Sequence, residues 1–379
     1  MSRALVAALL ATALGAAFAC SSSYAENDAT DGGAPDAAIT QPGPGDAATG
    51  PNDASTPDAG LECTLKTLYV SSGAYLFDIA TDANYVYFVE QRAPGDAYNG
   101  AGVGSVLRVD RTGAFDASRA TALATSQSSA QTLALDGLYV YFATFEANDA
   151  GGYAARLKRV ARDCPNSGCA VEDVLVDPQW TSVRLVRLVR AAPGVFFATG
   201  DGGQIFRIAL GSPVQQIAAV GYYASLTATD RAVYFGGGLS PKVQRVTPDG
   251  VTLEASWAQV PPLDDAGTGL YQLATDCDTL YGARTRTTNR GDALVATSLA
   301  AHAPALLDEG TGYAVFDLAA DARWLYVAAP NAGGFVVVDP RDGGIQNVAQ
   351  GNVFRLVGDD KGVYFGLHDG SGKLAMMVK

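Results

Sequence analysis

Histidine is nearly absent: His302 and His368 are the two in a chain of 379 residues. A serine- or cysteine-type catalytic triad, or a zinc site built on imidazoles, therefore has few residues to draw on. No phosphate-binding loop, dinucleotide fingerprint or zinc-protease helix occurs, and Asp-Gly runs such as Asp201-Gly202-Gly203 lack the ligand spacing of a calcium loop. The sequence points to no metal and no cofactor. Charge is also scarce, at 17% of residues, with a formal net charge of −13 and no basic run. That balance excludes nucleic acid and an anionic lipid face as partners. Long apolar runs are missing too. The one apolar segment of note, Ala4 to Ala19, is too short to favour a membrane span.

That segment follows Arg3 and ends in Ala17-Phe18-Ala19-Cys20, which has the form of a secretory signal over residues 1–19. Two cleavage readings stay open. Ala-x-Ala suits ordinary signal peptidase and would leave Cys20 as a plain N-terminal residue. The same residues resemble a bacterial lipobox, with Ala17 where Leu is usual, and that resemblance implies a lipidated Cys20 anchoring the chain to the cell envelope. Ser21, by similarity to enterobacterial lipoproteins, implies sorting to the outer membrane rather than retention at the inner one. Residues 20–60 are rich in Ala, Asp, Pro, Gly, Ser and Thr. From 21 to 60 there are seven acids and no Lys or Arg. Such a segment buries too little surface to offset its chain entropy and is expected to be a disordered tether.

From residue 61 onwards the chain repeats. Leu133 to Thr144 reads as a strand, an Asp-Gly turn and a second strand rich in aromatic and β-branched residues. The aromatics Tyr87, Tyr141, Phe196, Tyr234, Tyr281, Tyr326 and Tyr364 mark seven copies, spaced by about 46 residues on average. Eight positions before each marker stands an aliphatic: Ile79, Leu133, Leu188, Leu226, Leu273, Leu318 and Leu356. Nine before stands a polar residue: Asp78, Thr132, Arg187, Ser225, Gln272, Asp317 and Arg355. Five before stands Asp82, Asp136, Asp276, Asp321 or Asp359. Asp230 lies four before its marker, in a turn read as one residue shorter, and the third copy has Pro193 and Gly194 in that region.

Each copy reads as four strands. In the second these are Gln131 to Leu135, Tyr139 to Thr144, Arg156 to Val160 and about Val171 to Val176. The last copy runs out after Lys373 to Val378, while Leu65 to Ser72 has no copy of its own. Residues 61–379 therefore predict an all-β fold: a seven-bladed β-propeller of four-stranded antiparallel blades, with the N-terminal strand closing the last blade. The Asp-x-x-Tyr-Val-Tyr-Phe unit resembles the repeats of NHL and YWTD-type propellers. The Asp163 to Ala170 insert is similar to those of uncharacterised bacterial exported lipoprotein propellers. The resemblance implies fold and cell-surface context and leaves activity open.

With Cys20 set aside, four cysteines remain. Cys164 and Cys169 flank a Pro-Asn-Ser-Gly turn and are expected to form a disulfide. Cys63 and Cys277 are left over, with no local feature to pair them.

In a propeller the connections between strands two and three, and between strand four and the next strand one, share a face. Here that face has the long loops, with Arg92, Tyr98, Glu146, Tyr153, Arg286, Arg290 and His368 as binding candidates. The polar column is expected to ring the channel mouth on the same face, where it either grips a polar ligand or compensates its own charges. The opposite face is expected to carry mostly short structural Asp turns. His368 is the sole candidate base. Streptogramin lyases show that seven-bladed enzymes can depend on a His, but no matching motif surrounds this one. The leading expectation is a monomeric binding or scaffold module for an envelope protein, peptide or glycan, touching the membrane only through a lipid anchor. A periplasmic lyase or glycan-active enzyme, and a structural envelope component without a small ligand, are the alternatives.

Overall fold

A computed structural model describes residues between 64 and 378. Residues 1–63, the internal stretches 93–101, 112–119, 261–268, 285–291, 309–313 and 330–333, and some shorter turns lie outside the described residues. The predicted signal peptide, Cys20, the tether, Cys63 and Cys277 all fall there. No described helix is long and apolar enough to cross a membrane.

Seven four-stranded antiparallel sheets stand around one axis as the blades of a propeller. Six are contiguous in sequence. The seventh joins Asn352–Gly358, Gly362–His368 and Gly372–Val378 to the first described strand, Thr64–Val70, which becomes its outer edge. Leu65 pairs with Met377 and Val70 with Lys373, so the ring closes as the leftover strand required. Closure removes two raw sheet edges at once.

Seven hydrophobic clusters hold the blades together, one at each junction between neighbours. The aliphatic column supplies one side of every junction, and all seven of its members are buried. The marker aromatics are buried as well. Each fully buried aromatic removes 150–250 Å² from water, so these rings dominate the packing energy. Trp180 fills the junction between blades two and three, 6.3 Å from Phe206 in an edge-on contact.

The turn between strands one and two explains the conserved-looking spacing of Asp and Tyr within the chain. In blade one, Asp82 Oδ1 accepts N–H bonds from Asn84 and Tyr85 at 2.7 and 2.8 Å, and its Oδ2 accepts the Tyr87 hydroxyl at 2.8 Å. Asp276 with Tyr281, and Asp321 with Tyr326, repeat the arrangement. The carboxylate thus shapes the turn and satisfies a buried phenol five residues on. Blade four corrects the sequence reading. Its turn is not shortened: Thr229 occupies the column, and its hydroxyl accepts the N–H groups of Arg231 and Ala232. Asp230 points to solvent.

The second blade is longer than its pattern indicated. Its strands run Thr132–Leu135, Tyr139–Ala147, Tyr153–Ala161 and Glu172–Thr181. The Cys164–Cys169 disulfide forms as expected, with Cα atoms 5.9 Å apart. It staples the connection between the third and fourth of these strands. Asp201-Gly202-Gly203 is a hairpin turn in blade three. Gly203 adopts φ +82°, and a Cβ there would lie 1.8 Å from the Gly221 carbonyl oxygen.

Burial raises the Tyr87 and Tyr364 phenols to about 12, with Asp82 and Asp359 adding to the effect. The folded state keeps both protons, while an unfolded phenol releases its proton near 10. Their contribution to stability is complete below pH 10 and disappears as pH rises through about 12. Absorbance titration is expected to show these tyrosinates forming well above the exposed class, together with loss of β-sheet circular dichroism. Ionisation of every tyrosine near pH 10, with the fold intact, would contradict the buried Asp–Tyr turns.

Candidate functional site at the channel mouth

The polar column converges on the axis, as its position in the innermost strands dictates. It is a cross-braced network. Thr132 donates its hydroxyl to Asp78 Oδ2 at 2.7 Å, and the Leu133 N–H donates to the same oxygen at 2.9 Å. Ser225 Oγ accepts the Leu273 N–H at 3.1 Å, and Asp317 Oδ2 accepts the Leu356 N–H at 3.0 Å. In each case a side chain on one inner strand satisfies the backbone of the next.

The two arginines span the ring. Arg187, on the inner strand of blade three, donates to Gln272 at 3.1 Å and pairs closely with Asp317 of blade six. Arg355, on that of blade seven, donates through Nε to the Phe77 carbonyl at 2.7 Å. It lies 3.9 Å from Asp78 and 3.8 Å from Asp317. Asp78 and Asp317 are buried at 6% and 0% exposure, so both carboxylates depend on these partners. Burial opposes the charge on Arg187, but Asp317 and Asp78 outweigh it and hold its pKa above the ordinary value. Arg355 is lowered, first by burial and then by Arg187 beside it.

Of the two expectations for the column, mutual compensation describes its geometry: the charges engage one another across the axis. What remains open above them is a basin of about 110 Å³ lined by Phe77, Gln131, Arg184, Val186 and Arg355. Gln131 and Arg184 just precede the inner strands of blades two and three, and sequence reading passed over both. Their signal was positional: each lies one to three residues before a column member.

The loop-face candidates divide. Tyr98, Arg286 and Arg290 lie outside the described residues. Arg92 and His368 are the last residues of strands Tyr85–Arg92 and Gly362–His368, which corrects the placement of His368 in a loop. Glu146 and Tyr153 are also strand residues rather than loop residues. They belong to a hairpin in blade two that overhangs the ring. The inner strand stops pairing at Thr132 with Ala143, while the hairpin continues through Phe145–Ala155 and Glu146–Ala154 to Ala147–Tyr153. Four further residues at about 3.3 Å each raise the arm by roughly 13 Å.

The fourth strand follows it up, pairing Thr181 with Ala154. At the tip Tyr153 is 38% exposed and stacks on Phe145 with centroids 5.4 Å apart. Below it Glu146 bridges Arg156 at 3.1 Å and Lys158 at 2.6 Å. The Ser182 N–H donates to the Tyr153 carbonyl at 2.7 Å, so the arm leads by two residues to Arg184 and the basin.

Among the described residues no cluster of His, Cys, Asp and Glu could hold a metal ion. The expectation that the opposite face carries mainly short structural turns needs correction. A larger cleft, of about 400 Å³, opens there between blades one and two.

These features define the class: a closed seven-bladed β-propeller of four-stranded blades. No family model matches the chain, and no curated protein matches it. Solved propellers share its fold. YCF48 from Cyanidioschyzon merolae is similar with a TM-score of 0.55 at 13% identity, over 83% of this chain and 98% of that one. YCF48 bound to D1 peptide gives 0.54 at 12%, over 84% and 95%. The β-propeller domain of the Trilobed protease from Pyrococcus furiosus gives 0.54 at 12%, over 81% and 95%. That domain is described as having an open velcro topology, whereas the present ring is closed by Thr64–Val70.

Proposed function

We propose that the protein is an exported, lipid-anchored envelope component whose propeller recognises a protein or peptide through its mouth face. The overhanging arm of blade two carries this reading. Strand pairing holds the arm rigid, its tip presents a stacked and partly exposed aromatic pair, and it stands beside an arginine-lined basin. A rigid aromatic projection next to a concave polar surface suits an interface anchor, since aromatics and arginine dominate binding hot spots. The solved YCF48 complex with D1 peptide is in keeping with a propeller receiving a peptide. The column residues brace the scaffold beneath, and contact falls to Tyr153, Phe145, Gln131 and Arg184.

Cross-linking of the full-length protein in its own envelope, followed by affinity capture, tests this. A discrete partner is expected, with recovery reduced about tenfold by Tyr153→Ala combined with Arg184→Ala. Undiminished recovery by this double variant would reject the mouth-face reading. Cys20→Ser, by moving the protein from the membrane to the soluble fraction, checks the anchor separately.

A further inference from the structure

The cleft between blades one and two lies on the face opposite the mouth. Tyr85 and Tyr139 line it, with Tyr87, Asp82 and Arg162 at its floor and Asn84, Leu138 and Asp163 around it. Tyr85 and Tyr139 occupy the same position in the repeat, two before the marker. The other blades carry Gly194, Ala232, Thr279, Trp324 and Gly362 there. The fold therefore does not require tyrosine at this position, yet adjacent blades place one on each side of a single cleft.

Both rings are fixed from behind. The Arg108 guanidinium sits 4.5 Å from the Tyr85 centroid and that of Arg159 sits 4.2 Å from Tyr139. The floor is saturated. Arg162 pairs closely with Asp82, donates to the Tyr87 hydroxyl at 3.3 Å and donates to the Asp136 carbonyl. Burial works against ionisation of Asp82, but the Asn84 and Tyr85 N–H groups, Tyr87 and Arg162 hold it below the ordinary carboxylate range. Around the cleft, arginines 108, 159 and 162 face the carboxylates of Asp82, Asp163 and Glu172. Arg159 and Glu172 pair at 2.7 Å. Neither an anion nor a cation finds an uncompensated charge. The site offers two immobilised aromatic walls, a side-chain amide, a rim carboxylate and phenolic hydroxyls.

We propose that this cleft is a binding site for a neutral saccharide. Sugar rings present C–H faces that pack on tyrosine and hydroxyls that bond to amide and carboxylate groups, and their neutrality matches the balanced charge. A volume of about 400 Å³ accommodates one to two hexose units.

The test is a calorimetric titration of the full-length protein with neutral oligosaccharides: maltose, cellobiose and di-N-acetylchitobiose series. Binding of at least one series is expected below about 10 mM. Tyr85→Thr and Tyr139→Thr adopt the residue blade five uses at this position, so the fold is retained. Together they are expected to weaken binding about tenfold or more. Trp324→Thr, at the equivalent position of blade six, is the control and leaves binding unchanged. Three results overturn the proposal: no binding by any series on a glycan array, saccharide binding indifferent to the two tyrosines, or a cleft that takes only peptides. Because Tyr153 and Arg184 lie on the other face, failure here is separable from failure at the mouth.

Discussion

Asp317→Ala is expected to destabilise the protein by about 3–5 kcal/mol. Asp317 is wholly buried, pairs with Arg187, lies 3.8 Å from Arg355 and accepts the Leu356 N–H. Removing it leaves two guanidinium groups near one another with Asp78 as the remaining counter-charge, and leaves a backbone donor without its acceptor. Breaking a buried pair costs more than the pair contributes, because the surviving charge stays where water cannot solvate it. Asp317→Asn keeps an acceptor for Leu356 and is expected to lose less. Replacing the pair together, Arg187→Met with Asp317→Leu, is expected to recover much of the loss. Denaturant unfolding of the three variants measures this. A loss below about 1 kcal/mol for Asp317→Ala, as for an exposed ion pair, would show that water screens the axis and that the column is not a brace.

Removal of the closing strand is the second large effect. A chain beginning at residue 73 lacks Thr64–Val70, and blade seven then ends on the open edge of Gly372–Val378. Leu68, 1% exposed, leaves the cluster it shares with Leu76, Tyr364, Leu374 and Met376. The loss of that side chain alone is worth about 2–5 kcal/mol, before any backbone bonds are considered. An unpaired apolar edge also recruits other chains. A lowered unfolding midpoint and concentration-dependent association are expected, set against a chain beginning at residue 61. Light scattering and thermal unfolding read both. A monomeric product of unchanged midpoint would mean that the ring does not depend on its closure. The point variant Leu68→Asp tests the same seam without shortening the chain.

Much of this architecture was legible because repetition turns weak local signals into columns. One aliphatic before a turn means little. Seven, from Ile79 to Leu356, define a wall, and every one is buried. The closing strand was legible by subtraction, since Leu65 to Ser72 had no partner and the last copy lacked a strand. Partnership across the axis was not legible. Nothing in sequence says that Arg187 reaches Asp317, 130 residues away, because axial contacts follow from ring geometry rather than spacing.

The paired Arg-Val-x-Arg runs, Arg108 to Arg111 and Arg159 to Arg162, were visible, but only their first arginine was noticed. The second of each reaches back to the turn of the preceding blade: Arg111 to Asp359 and Arg162 to Asp82. Thr229 was missed because an adjacent aspartate drew the eye, although the hydroxyl performs the same task. The arm of blade two escaped because alternation continues smoothly past the point where its inner partner stops.

The pairing of Leu65 with Met377 carries a directional meaning. Gly372–Val378 runs from the mouth face towards the opposite one, and the antiparallel strand beside it runs back. The polypeptide therefore enters the propeller at Thr64 from the side of the Asp turns. Any surface attachment made through the preceding residues pulls on that side, at blade seven, next to the tyrosine-walled cleft of blades one and two. The molecule is a two-sided disc hung from its underside: the arm and basin look out into the medium, and the cleft looks back along the leash.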